Sequence, residues 1–256
     1  MLSMLIFFFS VTYADFFYVG VMAKETGYHK QVLLSQAKLS HLDSSIRDGW
    51  KEGYVITEIS HAPRRWNVVL SQGSGVKEQL YMYRRRMSDF QEAVAHYLNQ
   101  GYEIVNIENG VGEWVAVFQK GGKYKETQMY ISQNLKEMEE VINKKDSAGF
   151  SLIDIEAAEG YWVALYAKQK IATEQKYATA ENWDELKRKI DNAWKEHYYI
   201  VNLEYADDRW FMLFETSKRT RAERYIRSKK FKHLRAMVRK AWKEGYRLTD
   251  LAEGRR

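Results

Sequence analysis

The chain has 256 residues, of which 45% are hydrophobic, with a single proline and no cysteine. It can bury a core, as one large domain or a set of small modules, and it lacks the low hydrophobicity of a disordered chain. The missing cysteines exclude disulfides, thiolate zinc sites and cysteine nucleophiles, and they suit a reducing compartment. The formal charge of +6 is uneven: residues 209–256 hold 16 Lys/Arg against 5 Asp/Glu, a net of +11 that leaves −5 on residues 1–208. Such asymmetry speaks of partners rather than of fold.

The chain opens on "MLSMLIFFFSVTYA", residues 1–14. Its apolar run and Ala14 suit a signal peptide, but the positively charged start is missing and the run is short. It is also too short for a transmembrane helix, which needs about 20 apolar residues. A self-match at 48 residues places Phe8 under Ile56 and Val11 under Ile59, so a first strand at 5–13 is the favoured reading. The expected location is the cytoplasm or nucleus, with secretion the alternative if residues 1–14 are a leader.

The repeat becomes visible at "WKEGYVITEI", residues 50–59, which returns as "WKEGYRLTDL" at 242–251. The separation of 192 is four periods of 48. Trp66, Trp114, Trp162 and Trp210 keep that period, with Tyr18 in the preceding slot. Gln31, Gln79, Gln128 and Gln175 follow it within one residue, and Glu223 ends their series. Periodicity of this length signals an array.

In chain order, Leu42/Ile46/Trp50 form the first i, i+4, i+8 apolar stripe of an amphipathic helix about 14 residues long. Phe90/Val94/Leu98, Leu186/Ile190/Trp194 and Leu234/Val238/Trp242 repeat it. Met138/Ile142 is followed by Asp146, so the third helix is expected to end early. A glycine-aromatic pair closes each helix: Gly53-Tyr54, Gly101-Tyr102, Gly149-Phe150 and Gly245-Tyr246, with His197-Tyr198 standing in once. Strands follow at "YVITEI", "YEIVNI", "FSLIDI" and "YYIVNL", then a short turn, then a strand opening near each tryptophan, then one around each glutamine.

The predicted fold is therefore α+β: five repeats of about 48 residues, each a three-stranded antiparallel meander plus one helix. The units fall at about 1–52, 53–100, 101–148, 149–196 and 197–244, with a final strand at 245–252, in one repeat domain. Pairing between the terminal strands would close a propeller-like ring and remove exposed edges.

The stretches "YVGVMAKETGYHKQVLL", "WKEGYVITEI" and "RWNVVLSQGSGVKEQLY" resemble a tryptophan and glycine-tyrosine repeat domain. That domain follows the catalytic domain in plant casein-kinase-like nuclear kinases and occurs in some bacterial and protist proteins. The match is sharp in the first two units. It implies an accessory, non-catalytic module; the kinase motifs themselves are absent.

Candidate chemistry is sparse. "SQGSGV" (71–76) and "QKGGKY" (119–124) lead from strand to strand, so they read as hairpin turns rather than phosphate loops. The six histidines lack metal-ligand spacing, and Glu139-Glu140 and Asp207-Asp208 lack the opposed geometry of an acid/base pair. The tryptophans read as core, and the glutamines as structural hydrogen bonding, with a ring of ligand-binding amides the alternative. No cofactor, no metal and no enzymatic activity is expected.

The functional lead is the basic last unit. Arg219, Arg221, Arg224 and Arg227 precede the last helix, and Lys230, Lys232, Arg235, Arg239 and Lys243 fall outside its apolar stripe. They point to a scaffold that binds an anionic partner: an acidic protein or larger assembly, including a second copy of this chain. Nucleic acid is the alternative partner, though no aromatics interleave with these arginines. An enzyme with a site at the ring centre is the remaining alternative. "YRRRM" (83–87) reads as an exposed turn.

Overall fold

The computed structural model describes residues 16–169, 173–217 and 222–255. The first strand expected at 5–13, and Arg219 and Arg221, lie outside them. β1 (Phe16–Ala23) and β2 (Gln31–Gln36) lead through a 3-10 turn (Leu39–Leu42) into α1 (Asp43–Lys51). A second unit follows with β3 (Val55–Ala62), β4 (Arg65–Ser71), β5 (Glu78–Arg84) and α2 (Met87–Asn99). The third holds β6 (Glu103–Gly110), β7 (Glu113–Lys120), β8 (Tyr124–Ser132) and α3 (Leu135–Ser147). The fourth holds β9 (Ser151–Ala158), β10 (Tyr161–Gln169), β11 (Gln175–Ala180) and α4 (Trp183–Lys195). The last comprises β12 (Tyr198–Ala206), β13 (Arg209–Thr216), β14 (Glu223–Ser228), α5 (Phe231–Lys243) and a closing β15 (Arg247–Arg255).

The fold is α+β, with five helices and five three-stranded antiparallel sheets among the described residues. Their strand order corrects the expected meander. The sheets are β2-β4-β3, β5-β7-β6, β8-β10-β9, β11-β13-β12 and β14-β1-β15. Each glutamine strand joins the two strands beyond its helix, not the two before it. The sheet module is thus strand–helix–strand–strand, and it straddles a boundary drawn after the helix. The reason is burial: the tryptophan strand, apolar on both faces, takes the centre, and the glutamine strand takes an edge. "SQGSGV" and "QKGGKY" consequently connect different sheets and are not hairpin turns.

The true hairpins lie between the bulged and tryptophan strands, where two-residue turns use left-handed backbone. Val111-Gly112, Glu159-Gly160 and Asp207-Asp208 all have positive φ, as such turns require. Left-handed backbone also ends the helices: Gly53, Gly101, Gly149 and Gly245 have φ of 77–87°, and His197 adopts 62° in the equivalent place. The third helix does not end early. It runs to Ser147, because Asp146 in the apolar slot is simply exposed and Lys145 covers the core edge instead. Its ammonium sits 5.2 Å from the Phe150 ring and 5.8 Å from that of Tyr166.

Trp66, Trp114, Trp162 and Trp210 are buried, as expected of plugs that each unit needs. β1 carries Tyr18 in the same slot and forms the middle of the last sheet, between β14 and β15. Both its edges are thereby taken, the second by residues 247–255. Strands β3, β6, β9, β12 and β15 pack in succession, and β15 packs on β3. No helix among the described residues is long and apolar enough to cross a membrane.

Candidate functional site

The strand that follows each helix carries a bulge, marked by a register shift against its tryptophan strand. The extra residues are Thr57, Val105, Ile153, Val201 and Thr249, 48 apart. A bulge bends a strand and re-aims its side chains. All five bulge residues line one cavity of about 390 Å³, and so do the residues after them: Glu58, Asn106, Asp154, Asn202 and Asp250. The connections around Thr26-Tyr28, Gly73-Ser74 and Lys123-Tyr124 overhang it.

Four of these five polar side chains, all but Glu58, make links between units. Asn106 Oδ1 accepts from Ile59 N (3.2 Å), and its Nδ2 donates to Asp154 Oδ2 (3.0 Å). Asp154 also accepts from Ile107 N (2.8 Å) and, through Oδ1, from Asn202 Nδ2 (2.9 Å). Asp250 Oδ2 accepts from Leu203 N (3.1 Å). Each link thus ties a side chain to backbone or amide one unit away. Further along the strands lie Glu108, Glu156, Glu204 and Glu253; Glu156 accepts from Asn109 N (3.2 Å).

The electrostatics are unusual because, among the described residues, no cation pairs with these acids: none of the seven takes part in an ion pair. Burial raises the Asp154 carboxyl to about 7 despite the donors from Ile107, Ile155 and Asn106. Burial pushes Glu58 well above the ordinary range, and Asp250 beside it adds to the effect. Asp250 is raised by burial and then by Asp154. Burial likewise raises Glu108, Glu156, Glu204 and Glu253, the first three further through mutual repulsion. No group of three or more His/Asp/Glu is placed to hold a metal ion among the described residues.

The recurring glutamines act as clips. Gln79 accepts from Ile56 N (2.6 Å) and Trp50 Nε1 (3.0 Å), and donates to Ile56 O (2.9 Å). Gln31 does the same with Leu248 N (2.7 Å), Trp242 Nε1 (2.9 Å) and Leu248 O (2.8 Å). Gln175 pairs both backbone groups of Leu152 (2.8 Å each). Glu223 keeps the two acceptor bonds, to Ile200 N and Trp194 Nε1. In the third unit Thr127 Oγ1 accepts from Ile104 N instead, and Lys145 donates to Gln128. Each clip holds the backbone just before a bulge, so the glutamines are structural hydrogen-bonding groups that fix the cavity wall.

The predicted basic residues separate into two sets. Arg224 is spent internally, paired with Glu244 at 2.7 Å and stacked 4.0 Å over Tyr246. Arg227 lies over Phe17 (4.4 Å) and Trp183 (4.5 Å). Lys232, Arg239 and Lys243 are exposed on α5, and Lys230 is exposed at its N-cap. Lys232, Arg235 and Arg239 line a groove of about 380 Å³ together with Arg65 of β4 and Phe231. Arg65, which sequence reasoning did not single out, stacks on Phe231 (4.8 Å) and donates to Ser35 Oγ (3.0 Å). Arg84, Arg85 and Arg86 are exposed, the first at the end of β5 and the other two in the connection to α2.

The cavity acids were missed although their signal is plain: the fifth letter of "YVITEI", "YEIVNI", "FSLIDI", "YYIVNL" and "YRLTDL" is polar each time. No protein-family model matches the chain, and no curated protein is similar to it in sequence.

Proposed function

We propose that the five units close into a propeller-like ring that serves as a non-catalytic scaffold, docking an acidic protein surface on its basic α5 face. Closure is supported by β1 filling the middle of the sheet formed by the C-terminal strands, and by β15 packing on β3. A ring leaves each sheet laterally covered, which is what an apolar tryptophan strand needs.

The observation that carries the docking surface is the groove between α5 and β4. There Arg65, from the first sheet, joins Lys232, Arg235 and Arg239 from the last, so two distant segments contribute to one cationic surface. None of the four is in an ion pair among the described residues. Guanidinium groups beside an apolar ring suit carboxylates better than a purely solvated face would. The resemblance to an accessory repeat domain agrees with this reading.

The test is fluorescence anisotropy with a labelled glutamate-rich peptide and a labelled single-stranded RNA, over a salt titration. The peptide should bind, and Arg65→Ala with Arg235→Ala and Arg239→Ala should weaken it about tenfold or more. Tighter binding of RNA with a steep salt slope would transfer the surface to nucleic acid. Equal binding of wild type and variant would reduce the face to solvation. The converging polar groups of the cavity favour a second reading, a small-molecule site between the bulged strands.

A further inference from the structure

We propose that the cavity between the five bulged strands binds a small organic ammonium ion, held by Glu58, Asn202 and Asp250. This site is independent of the basic face.

The argument is an inventory of donors and acceptors. Asp154 is saturated, taking Asn106 and Asn202 amides and the Ile107 backbone on its two oxygens. Its neighbours on the other side are not. Asn202 is 8% exposed, spends its Nδ2 on Asp154, and its Oδ1 has no partner. Glu58 is 9% exposed and accepts no hydrogen bond from any described residue. Asp250, between them, receives only backbone N–H groups. On the cavity lining the unmet acceptors therefore gather in one sector, where β12, β15 and β3 adjoin; off the lining, Glu253 also keeps two buried oxygens without partners. A buried acceptor without a donor is costly, more so when charged, so the sector calls for a donor from outside the chain.

Charge selects the donor. Five units cannot alternate acid and amide all the way round, and the sequence Glu58, Asn106, Asp154, Asn202, Asp250 brings Asp250 back beside Glu58. Buried carboxylates need a counter-charge, and Lys123, the cation on the cavity lining, interacts with Tyr124 and Glu215 and forms no ion pair with Glu58 or Asp250. A directly coordinated metal is disfavoured by the absence of a metal-holding group among the described residues. An ammonium group supplies one positive charge and three N–H donors, one for each of the three acceptors. The cavity of about 390 Å³ leaves room for its carbon chain along Thr57, Val201 and Thr249.

Isothermal titration calorimetry and thermal shift on the full chain test this, with methylammonium and putrescine as probes and tetramethylammonium as a control of equal charge without N–H donors. Saturable binding of one of the two amines is expected, tetramethylammonium should fail, and Glu58→Gln and Asp250→Asn should each weaken binding about tenfold or more. Circular dichroism checks that both near-isosteric variants stay folded, and Lys187→Ala, exposed on α4 away from the cavity, should bind as wild type. No binding of either amine, equal response to tetramethylammonium, undiminished binding in both folded variants, or saturation by Mg²⁺ or Ca²⁺ that excludes the amines would each overturn the proposal.

Discussion

Replacing Gln31 by leucine tests both the clip and the junction between chain ends. The side chain accepts from Leu248 N and Trp242 Nε1 and donates to Leu248 O and Ser71 Oγ. Leucine keeps the volume and removes all four bonds. Leu248 is fully buried, so its N–H and C=O lose their partners without access to water. Two orphaned backbone groups at about 1–3 kcal/mol each, less a small gain from the apolar side chain, give a loss of about 2–4 kcal/mol. For a chain of this size that lowers Tm by roughly 4–16 °C. Gln79→Leu removes the same clip inside the array, from Ile56 and Trp50. The two variants, compared by calorimetry and urea unfolding, should fall within about 1 kcal/mol of each other. A silent Gln31→Leu beside a damaging Gln79→Leu would mean that the junction is open in solution. Silence in both would refute the clip itself.

Stability should decline from pH 4 to pH 7, because the native state keeps protons that the unfolded state releases there. The rise of Asp154 to about 7 alone accounts for about 4 kcal/mol of that decline, and urea midpoints across the range would show it. Glu58→Gln removes one raised carboxyl, so the variant should match wild type near pH 4 and exceed its Tm at pH 8; an equal gain at both would contradict the burial argument. His197→Gly should raise stability by about 1 kcal/mol, since His197 holds the left-handed φ of 62° where four other units use glycine; thermal unfolding reads it directly. Gly110→Ala should cost about 1–3 kcal/mol, because its new Cβ would lie 2.2 Å from His61 Cγ, and a neutral result would show that the imidazole can swing off Trp66.

The repeat, the helices and the buried tryptophans were legible because each rests on local pattern. The period of 48, the i, i+4, i+8 stripes and the glycine after four of the five helices need no knowledge of what lies across the sheet. Strand order was not legible. Antiparallel neighbours joined by short connections favour a meander, yet "SQGSGV" and "QKGGKY" span sheets, because the tryptophan strand needs cover on both edges. Nor does a stripe rule foresee Lys145, which replaces the helix-end tryptophan by stacking its ammonium on Phe150. The cavity was hidden for a different reason. A polar fifth letter in a strand reads as a solvent-facing position under simple alternation, and only the bulge turns it inward. Five polar letters at one period, each inside an apolar strand, are the pattern that distinguishes the two cases.

The number of units itself bears on the chemistry. Where acid and amide alternate, each amide donates to the acid beside it, and burial of that acid is tolerable because both its oxygens are met. Asn106–Asp154–Asn202 is such a stretch, and its one acid, Asp154, is raised by burial to about 7 while donors from Ile107, Ile155 and Asn106 hold it down. An odd count forces one pair of like neighbours somewhere, and the chain places it at Asp250 and Glu58, across the junction between the last unit and the first. A third amide, at either position, would have removed the repulsion between Asp250 and Glu58. Keeping a carboxyl at both costs stability at neutral pH, and asparagine at 106 and 202 demonstrates that the strand tolerates the amide. A scaffold alone would gain from the substitution; a site for a cation would lose its reason to exist.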